Sequence, residues 1–249
     1  MIGRCCIIAA VTPCSSAEVA SRFSERRLEG LEATDDVNAS EVEVAATLRD
    51  IRRANTFLGG TRVVVSEALR LTSRSSGLVT LLDVGAGTGD VAQAVARALT
   101  NRGLRARTIA IDQPFILGAI ARPETDHVIA GDALSLPIRD RSVDVAICSQ
   151  VLHHFCDQKA RMLIAELDRV ARVGVVIGDL ERDALAAFLF RAVAPALRFH
   201  PVTVRDGLLS IERGFSGPEL RALVRSAVTR DVVVRRRFPF RLTASWTVN

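Results

Sequence analysis

Three glycines at alternate positions, Gly85, Gly87 and Gly89, follow Asp83 and run into Asp90. Glycine turns tightly and lets a ligand reach backbone N–H groups with no Cβ in the way. A dinucleotide fingerprint, G-x-G-x-x-G, would place glycine at position 90. A carboxylate there repels a pyrophosphate and suits the amino group of a zwitterion. The residues therefore favour a cationic nucleoside without phosphate over a nicotinamide dinucleotide. Two further acids end short apolar runs: Asp112, whose oxygens can accept from both ribose hydroxyls, and Asp132, which can accept from an adenine amino group. His153 and His154 are two of only four histidines. Their imidazoles titrate near neutrality and suit proton transfer. Neighbours on a regular element point apart, so at most one of the pair is expected to face a reacting atom. His200 is a weaker third candidate.

Short strands and one turn must hold these groups. Leu78–Leu82 is too short for a helix and apolar enough for a buried parallel strand. Val91–Leu99 carries Val91, Val95 and Ala98 at helical spacing. Strand, glycine turn and helix open a βαβ unit whose N–H groups face a ligand. Arg107–Ile111, Val128–Ala133, Val143–Gln150 and Val173–Asp179 read as the next strands, with Asp144 supporting the start of one and Asp157 expected to cap the helix before the last.

Taken together, Leu81–Asp90, Asp112, the segment Gly131–Pro137 and Asp144–Phe155 resemble the class I S-adenosylmethionine-dependent methyltransferases. The Leu-His-His-Phe segment is similar to the small-molecule branch, in quinone and natural-product biosynthesis. The resemblance covers roughly residues 75–180. It implies a three-layer α/β/α sandwich with a seven-stranded, mostly parallel sheet of order 3-2-1-4-5-7-6. It further implies N-terminal helices lying across the site and a helical insertion after strand 5. S-adenosyl-L-methionine is the implied cofactor. Asp83 and the glycines would contact its methionine portion, Asp112 its ribose, and Asp132 and Ala133 its adenine. Ser149 to Leu152, with Gln150 among them, would face the methyl group, and Ala86, Asp90 and Gln113 complete the expected binding set. A DNA-base amino methyltransferase would carry an Asn/Asp-Pro-Pro-aromatic segment where this chain has Ser149-Gln150-Val151-Leu152. The expected acceptor is a phenolic hydroxyl or carbon of a small molecule. Rival readings are methylation of protein or RNA, a silent cofactor-binding scaffold, and an NAD-dependent oxidoreductase, which Asp90 disfavours.

The 249 residues divide into an irregular leader over 1–39, a helical lid over 40–74, and a Rossmann-like domain over 75–249 with an insertion at about 184–214. The leader contains a possible helix from Ala17 to Leu31. Ser40 and Glu43 form a capping box for a helix to about Leu58, stopped by Gly59-Gly60. A second helix follows, at about Arg62 to Ser73. Arg53 and Asn55 are candidates to reach the ligand. Ser216-x-x-Glu219 opens a later helix, with Phe215 and Leu220 spaced as a hydrophobic staple. Val232–Val234 and Phe240–Val248 form a final antiparallel hairpin. In the insertion, Phe188, Phe190 and Phe199 are candidate apolar walls.

Net charge is +5, from 33 basic and 28 acidic residues, and aromatics are 4%. That is no concentrated basic, aromatic-studded face, so no nucleic-acid partner is expected. Five cysteines, Cys5, Cys6, Cys14, Cys148 and Cys156, have no zinc-binding spacing, and no metal is expected. Their use suggests a reducing, cytoplasmic setting. No apolar run reaches 18 residues, so no membrane insertion is expected. The chain is expected to be a monomer or homodimer.

Overall fold

The computed structural model describes Arg27, Glu32 and residues 34–36, 39–120 and 123–248. Two helices come first, α1 (Glu41–Phe57) and α2 (Gly60–Leu71). Ser40 caps α1, its hydroxyl accepting from the Glu43 N–H. Strand β1 (Leu78–Val84) leads through the glycine turn to α3 (Asp90–Thr100), β2 (Arg105–Asp112), α4 (Pro114–Ala119) and β3 (His127–Ala130). Then follow β4 (Val143–Ser149), a single 3-10 turn at Leu152–His154, α5 (Asp157–Val170) and β5 (Ala171–Leu180). The insertion is two helices, α6 (Ala184–Val193) and α7 (Pro201–Arg213). The chain ends in α8 (Gly217–Ala227), β6 (Val233–Arg237) and β7 (Arg241–Thr247).

The seven strands form one sheet of order β3-β2-β1-β4-β5-β7-β6. The first five are parallel, and β7 runs antiparallel to both neighbours. Each face of the sheet has its own apolar layer. Val79 and Leu81 of β1 pack with Val145, Ile147 and the inner faces of α2 and α3. Leu82 and Val84 point the other way, toward Leu163, Leu167 and Val224 of α5 and α8. Burying each such leucine contributes on the order of 2 kcal/mol. Truncating fully buried Leu99 to Ala would cost about 3 kcal/mol.

This alternation decides where chemistry can sit. Asp83 shares the Val79–Leu81 face and so meets the start of α3. Asp179 shares the Val175–Ile177 face and so meets the turn after β4. Strand order reverses beside β1, with β2 and β4 flanking it, and the carboxyl ends of all three open onto one rim, where such sheets bind ligands.

Local expectations meet two corrections here. Ser216 and Glu219 form the reciprocal box on α8, with Phe215 and Leu220 buried beside it. Asp144 accepts from the Thr80 N–H at 2.8 Å and from Arg172 Nε at 2.6 Å, tying the start of β4 to β1 and β5. Asp157, however, does not cap α5. Cys156 holds the cap position without a side-chain bond, and Asp157 sits in the first turn, bonded to Arg27. Phe188 is exposed at 67% and stands outside the apolar wall it was expected to join. Apart from Arg27, the possible helix from Ala17 to Leu31 lies outside the described residues, as do Cys5, Cys6 and Cys14.

Candidate functional site

A cavity of about 450 Å³ opens at the carboxyl rim, between β1, β2 and β4 below and α1, α6 and α7 above. The glycine turn forms its floor. Gly85 sits at φ +71°, and a Cβ there would lie 2.3 Å from Val151 Cγ2. Both facts favour glycine: the backbone conformation is one that L side chains rarely adopt, and the space is taken. The Gly85 N–H donates to the Ile111 carbonyl at 2.9 Å, so β2 fixes the bend.

Three carboxylates converge on that floor. Asp83 lines the cavity, is 1% exposed, and its buried Oδ2 has no hydrogen-bond partner. Burial first, then the neighbouring Asp90, push its pKa up to about 8. Asp112 accepts the Gly87 N–H on Oδ2 at 2.7 Å and the Gln113 N–H on Oδ1 at 2.8 Å. Those bonds fix its orientation, while burial outweighs them and raises its pKa. Asp90 accepts from Thr88 Oγ1 at 2.7 Å and from Asn55 Nδ2 at 3.4 Å. The orphaned oxygen of Asp83, walled in by acids, fits a ligand that brings a cation and N–H donors. A pyrophosphate fits nothing here.

Asn55 begins a chain of contacts along the roof. Gln150 Nε2 donates to Asn55 Oδ1, and Arg241 Nη1 donates to Gln150 Oε1 at 3.1 Å. Gln150 has φ +57°, a costly conformation for a non-glycine residue, and it turns the amide back between α1 and β7. Burial lowers the Arg241 pKa to about 10, with Asp179 opposing.

At the next rim position stand the two imidazoles. His153 Nδ1 donates to Asp179 Oδ1 at 2.6 Å, and the His153 backbone N–H donates to Asp179 Oδ2 at 3.1 Å. Burial works against an imidazolium, but Asp179 and Glu32 outweigh it and raise the His153 pKa to about 9. His154 Nδ1 donates to Asp35 Oδ1 at 2.6 Å. Glu32 lies between the rings, 3.6 Å from His153 Nε2 and 3.8 Å from His154 Nε2. Arg213 pairs with Glu32 at 3.2 Å and Asp35 at 2.7 Å. These partners outweigh burial and hold both carboxyls below their usual range. Arg27 donates to the His153 and Phe155 carbonyls at 3.1 and 3.0 Å and stacks 4.0 Å above Phe215.

The expected set is mostly gathered here. Asp83, Gly85, Ala86, Gly87, Asp90 and Asp112 line the cavity, as do Gln113, Ser149, Gln150, His153 and His154. Asp132 and Ala133 do not. Asp132 is exposed, and its Oδ1 accepts the Leu134 N–H at 2.8 Å, closing a turn just outside the rim. The expectation that adjacent histidines diverge fails. Their ring centroids are 4.3 Å apart and both Nε2 atoms face Glu32, because they sit on a 3-10 turn and not on a regular element. His200 caps α7, accepting from Val202 N–H at 3.4 Å, and does not line the cavity. Asn55 reaches the site, whereas Arg53 pairs with Asp50 away from it. Phe190 and Phe199 join Leu189, Val193 and Phe240 as the apolar end. Sequence reading missed Glu32, Asp35 and Arg213. Arg213 had a faint signal, a basic residue in the last turn before a capping box. The two acids had none, since they belong to a segment without periodicity.

Residues 82–177 match the family described as methyltransferase domain. An uncharacterized 37.1 kDa protein in transposon TN4556 of Streptomyces fradiae is 30% identical over 173 residues. The match covers 61% of this chain and 49% of that one, so the chain spans about half the length of this curated relative. Among solved structures, human N-acetylserotonin methyltransferase in complex with SAM aligns at TM-score 0.61 and 17% identity, over 93% of this chain and 65% of that one. An O-methyltransferase family protein from Burkholderia thailandensis aligns at 0.60 and 15%, over 93% and 66%. A SAM-dependent methyltransferase from Aquifex aeolicus aligns at 0.56 and 16%, over 82% and 98%. At these identities the likeness to the solved structures is one of fold.

Proposed function

We propose that the chain is a class I S-adenosylmethionine-dependent methyltransferase, as its match to the methyltransferase domain supports, and that it methylates a small molecule, at a phenolic hydroxyl or an activated carbon. One observation carries the reading. A single cavity has an acidic, glycine-floored end at Asp83, Asp90 and Asp112 and an apolar end at Phe190, Phe199 and Phe240, with the histidine pair between. The first end suits the methyl donor and the second an aromatic acceptor.

When bound, the cofactor supplies a methyl group on a sulfonium. Asp83 and Asp90 would hold the donor's ammonium, and Asp112, oriented by the Gly87 and Gln113 N–H groups, would hold the ribose hydroxyls. Ser149, Gln150 and Val151 bound the methyl group, and α1 covers the donor as a lid. The acceptor lies between α6 and α7 with its nucleophilic atom toward His153 and His154. At a pKa of about 9, His153 carries a proton at neutrality and orients the acceptor rather than deprotonating it. The remaining work is alignment and exclusion of water.

Methylation of a protein or RNA is disfavoured by the depth and apolarity of the second end. Calorimetry with S-adenosylhomocysteine and with NAD tests the donor. Binding of the first alone supports the reading, and binding of NAD alone refutes it. Transfer of labelled methyl to a panel of phenols against a peptide and RNA panel tests the acceptor class.

A further inference from the structure

We propose that Glu32, His153 and His154 form a binding site for one divalent transition-metal ion, of the zinc type, at the acceptor end of the cavity. The donor atoms are His153 Nε2, His154 Nε2 and a Glu32 carboxylate oxygen, all within 4.8 Å of one another. Tetrahedral bonds of about 2.0–2.1 Å place ligand atoms roughly 3.3 Å apart. His153 Nε2 lies 3.6 Å from Glu32 Oε1 and His154 Nε2 lies 3.8 Å from Glu32 Oε2, so a modest contraction about the carboxylate reaches that.

Two independent features point to an ion. His153 Nε2 is buried and has no hydrogen-bond partner, although its ring is 3% exposed and aimed at Glu32. Each imidazole is oriented from behind by a carboxylate on Nδ1, Asp179 for His153 and Asp35 for His154, both at 2.6 Å. This is how metal-binding histidines are held, with the far nitrogen fixed as donor and the near one left for the metal. An ion bound there takes the place of the proton that His153 otherwise carries at neutrality.

Two nitrogens and one oxygen favour zinc, cobalt or iron over magnesium or calcium, which take oxygen donors. Three protein ligands leave a coordination position open, and all three residues line the cavity. The site deepens the transferase reading and rests on it only for what the ion does. An acceptor hydroxyl bound there sheds its proton to solvent more readily. The oxygen lone pair then forms the bond to the methyl carbon as the S–C bond breaks, its electron pair returning to sulfur. The acceptor class narrows to hydroxyl compounds. Cysteine spacing gave no hint of this site, because its ligands lie far apart in the chain.

The test is cobalt(II) titration of chelator-stripped full-length protein carrying Cys5, Cys6 and Cys14 replaced by Ser, followed by visible absorption and by zinc competition. One equivalent should bind with the intense bands of four-coordinate nitrogen and oxygen ligation. Glu32→Gln and His154→Gln should each raise the dissociation constant at least tenfold, and Asp35→Asn should raise it about tenfold. S-adenosylhomocysteine affinity, read in the same variants, should stay within twofold and shows that each is folded. No cobalt binding at 100-fold excess by protein that still binds S-adenosylhomocysteine overturns the site. So does cobalt binding that Glu32→Gln leaves unchanged. Cobalt binding without any affinity for S-adenosylhomocysteine would keep the site and sink the transferase reading.

Discussion

Asp83→Asn isolates the most unusual carboxyl in the fold. The substitution is isosteric and removes only the ionisation. Folding raises the Asp83 pKa to about 8, through burial and the nearby Asp90. A raised carboxyl favours the folded state only while protonated, so its contribution is intact below an ordinary value of about 3.9 and is lost as pH climbs toward 8. At about 1.4 kcal/mol per pH unit, the loss between pH 5 and pH 8 is roughly 3–4 kcal/mol. Asparagine has no such loss. The stability difference between variant and wild type, from urea unfolding of ligand-free protein, should therefore swing by that amount toward the variant over this window. A difference flat from pH 5 to pH 8 would refute an orphaned acid at this position. Donor binding should reverse the sign. An ammonium at Oδ2 stabilises the carboxylate, so S-adenosylhomocysteine uptake near pH 7 should release a proton. That release is measurable by calorimetry in buffers of different ionisation enthalpy. The variant should lose both the proton release and about ten- to a hundredfold in affinity, the worth of one hydrogen bond to a charged group. Stability gained and binding lost, at one atom pair, is the signature of a site acid kept at a cost to the fold.

Other substitutions probe the remaining parts. Gly85→Ala forces a Cβ to 2.3 Å from Val151 at φ +71° and should cost roughly 3 kcal/mol of stability in thermal or urea melts. A melt unchanged within 0.5 kcal/mol, on the order of a neutral surface change, would mean that the turn is not built as described. Arg213→Met should strand Glu32 and Asp35 as buried carboxylates and cost about 3–5 kcal/mol at pH 7, with partial recovery as pH falls and the acids protonate. A melting temperature equal to wild type at both pH values would discount the cluster. Phe190→Ala should raise KM for an aromatic acceptor several-fold while leaving donor affinity unchanged. A shift in donor affinity instead would place α6 over the wrong end.

Legibility in the sequence followed periodicity and local chemistry. The glycine turn, the acids ending β1 and β2, and the capping box at Ser216 could be read because each is fixed by a few adjacent residues. The order of the strands came with the family resemblance, and the pairing of β1 with both β2 and β4 agrees with it. Divergence of the histidines failed because it assumed a regular element, whereas a three-residue 3-10 turn lets both rings lean the same way. Asp132 was placed by its position after a strand, but its carboxylate is used by the next turn.

The largest gap concerns the leader. No periodic signal marks residues 32–36, yet Glu32 is 5% exposed and is reached by both imidazoles and by Arg213. Nothing in a short polar stretch announces that it will be buried. Its burial is determined by partners that arrive from the turn after β4 and from α7. Taking Glu32 and Asp35 away would leave Arg213 and a protonated His153 facing only Asp179 in a nearly closed space. Glu32 and Asp35 of the leader are therefore part of the histidine pair's electrostatics. A chain shortened to begin at Ser40 should keep donor binding at the glycine turn while losing both cobalt affinity and several degrees of melting temperature. If the shortened chain keeps its cobalt affinity, the ligand set named here is wrong. If it keeps its melting temperature alone, Arg213 must have found other partners.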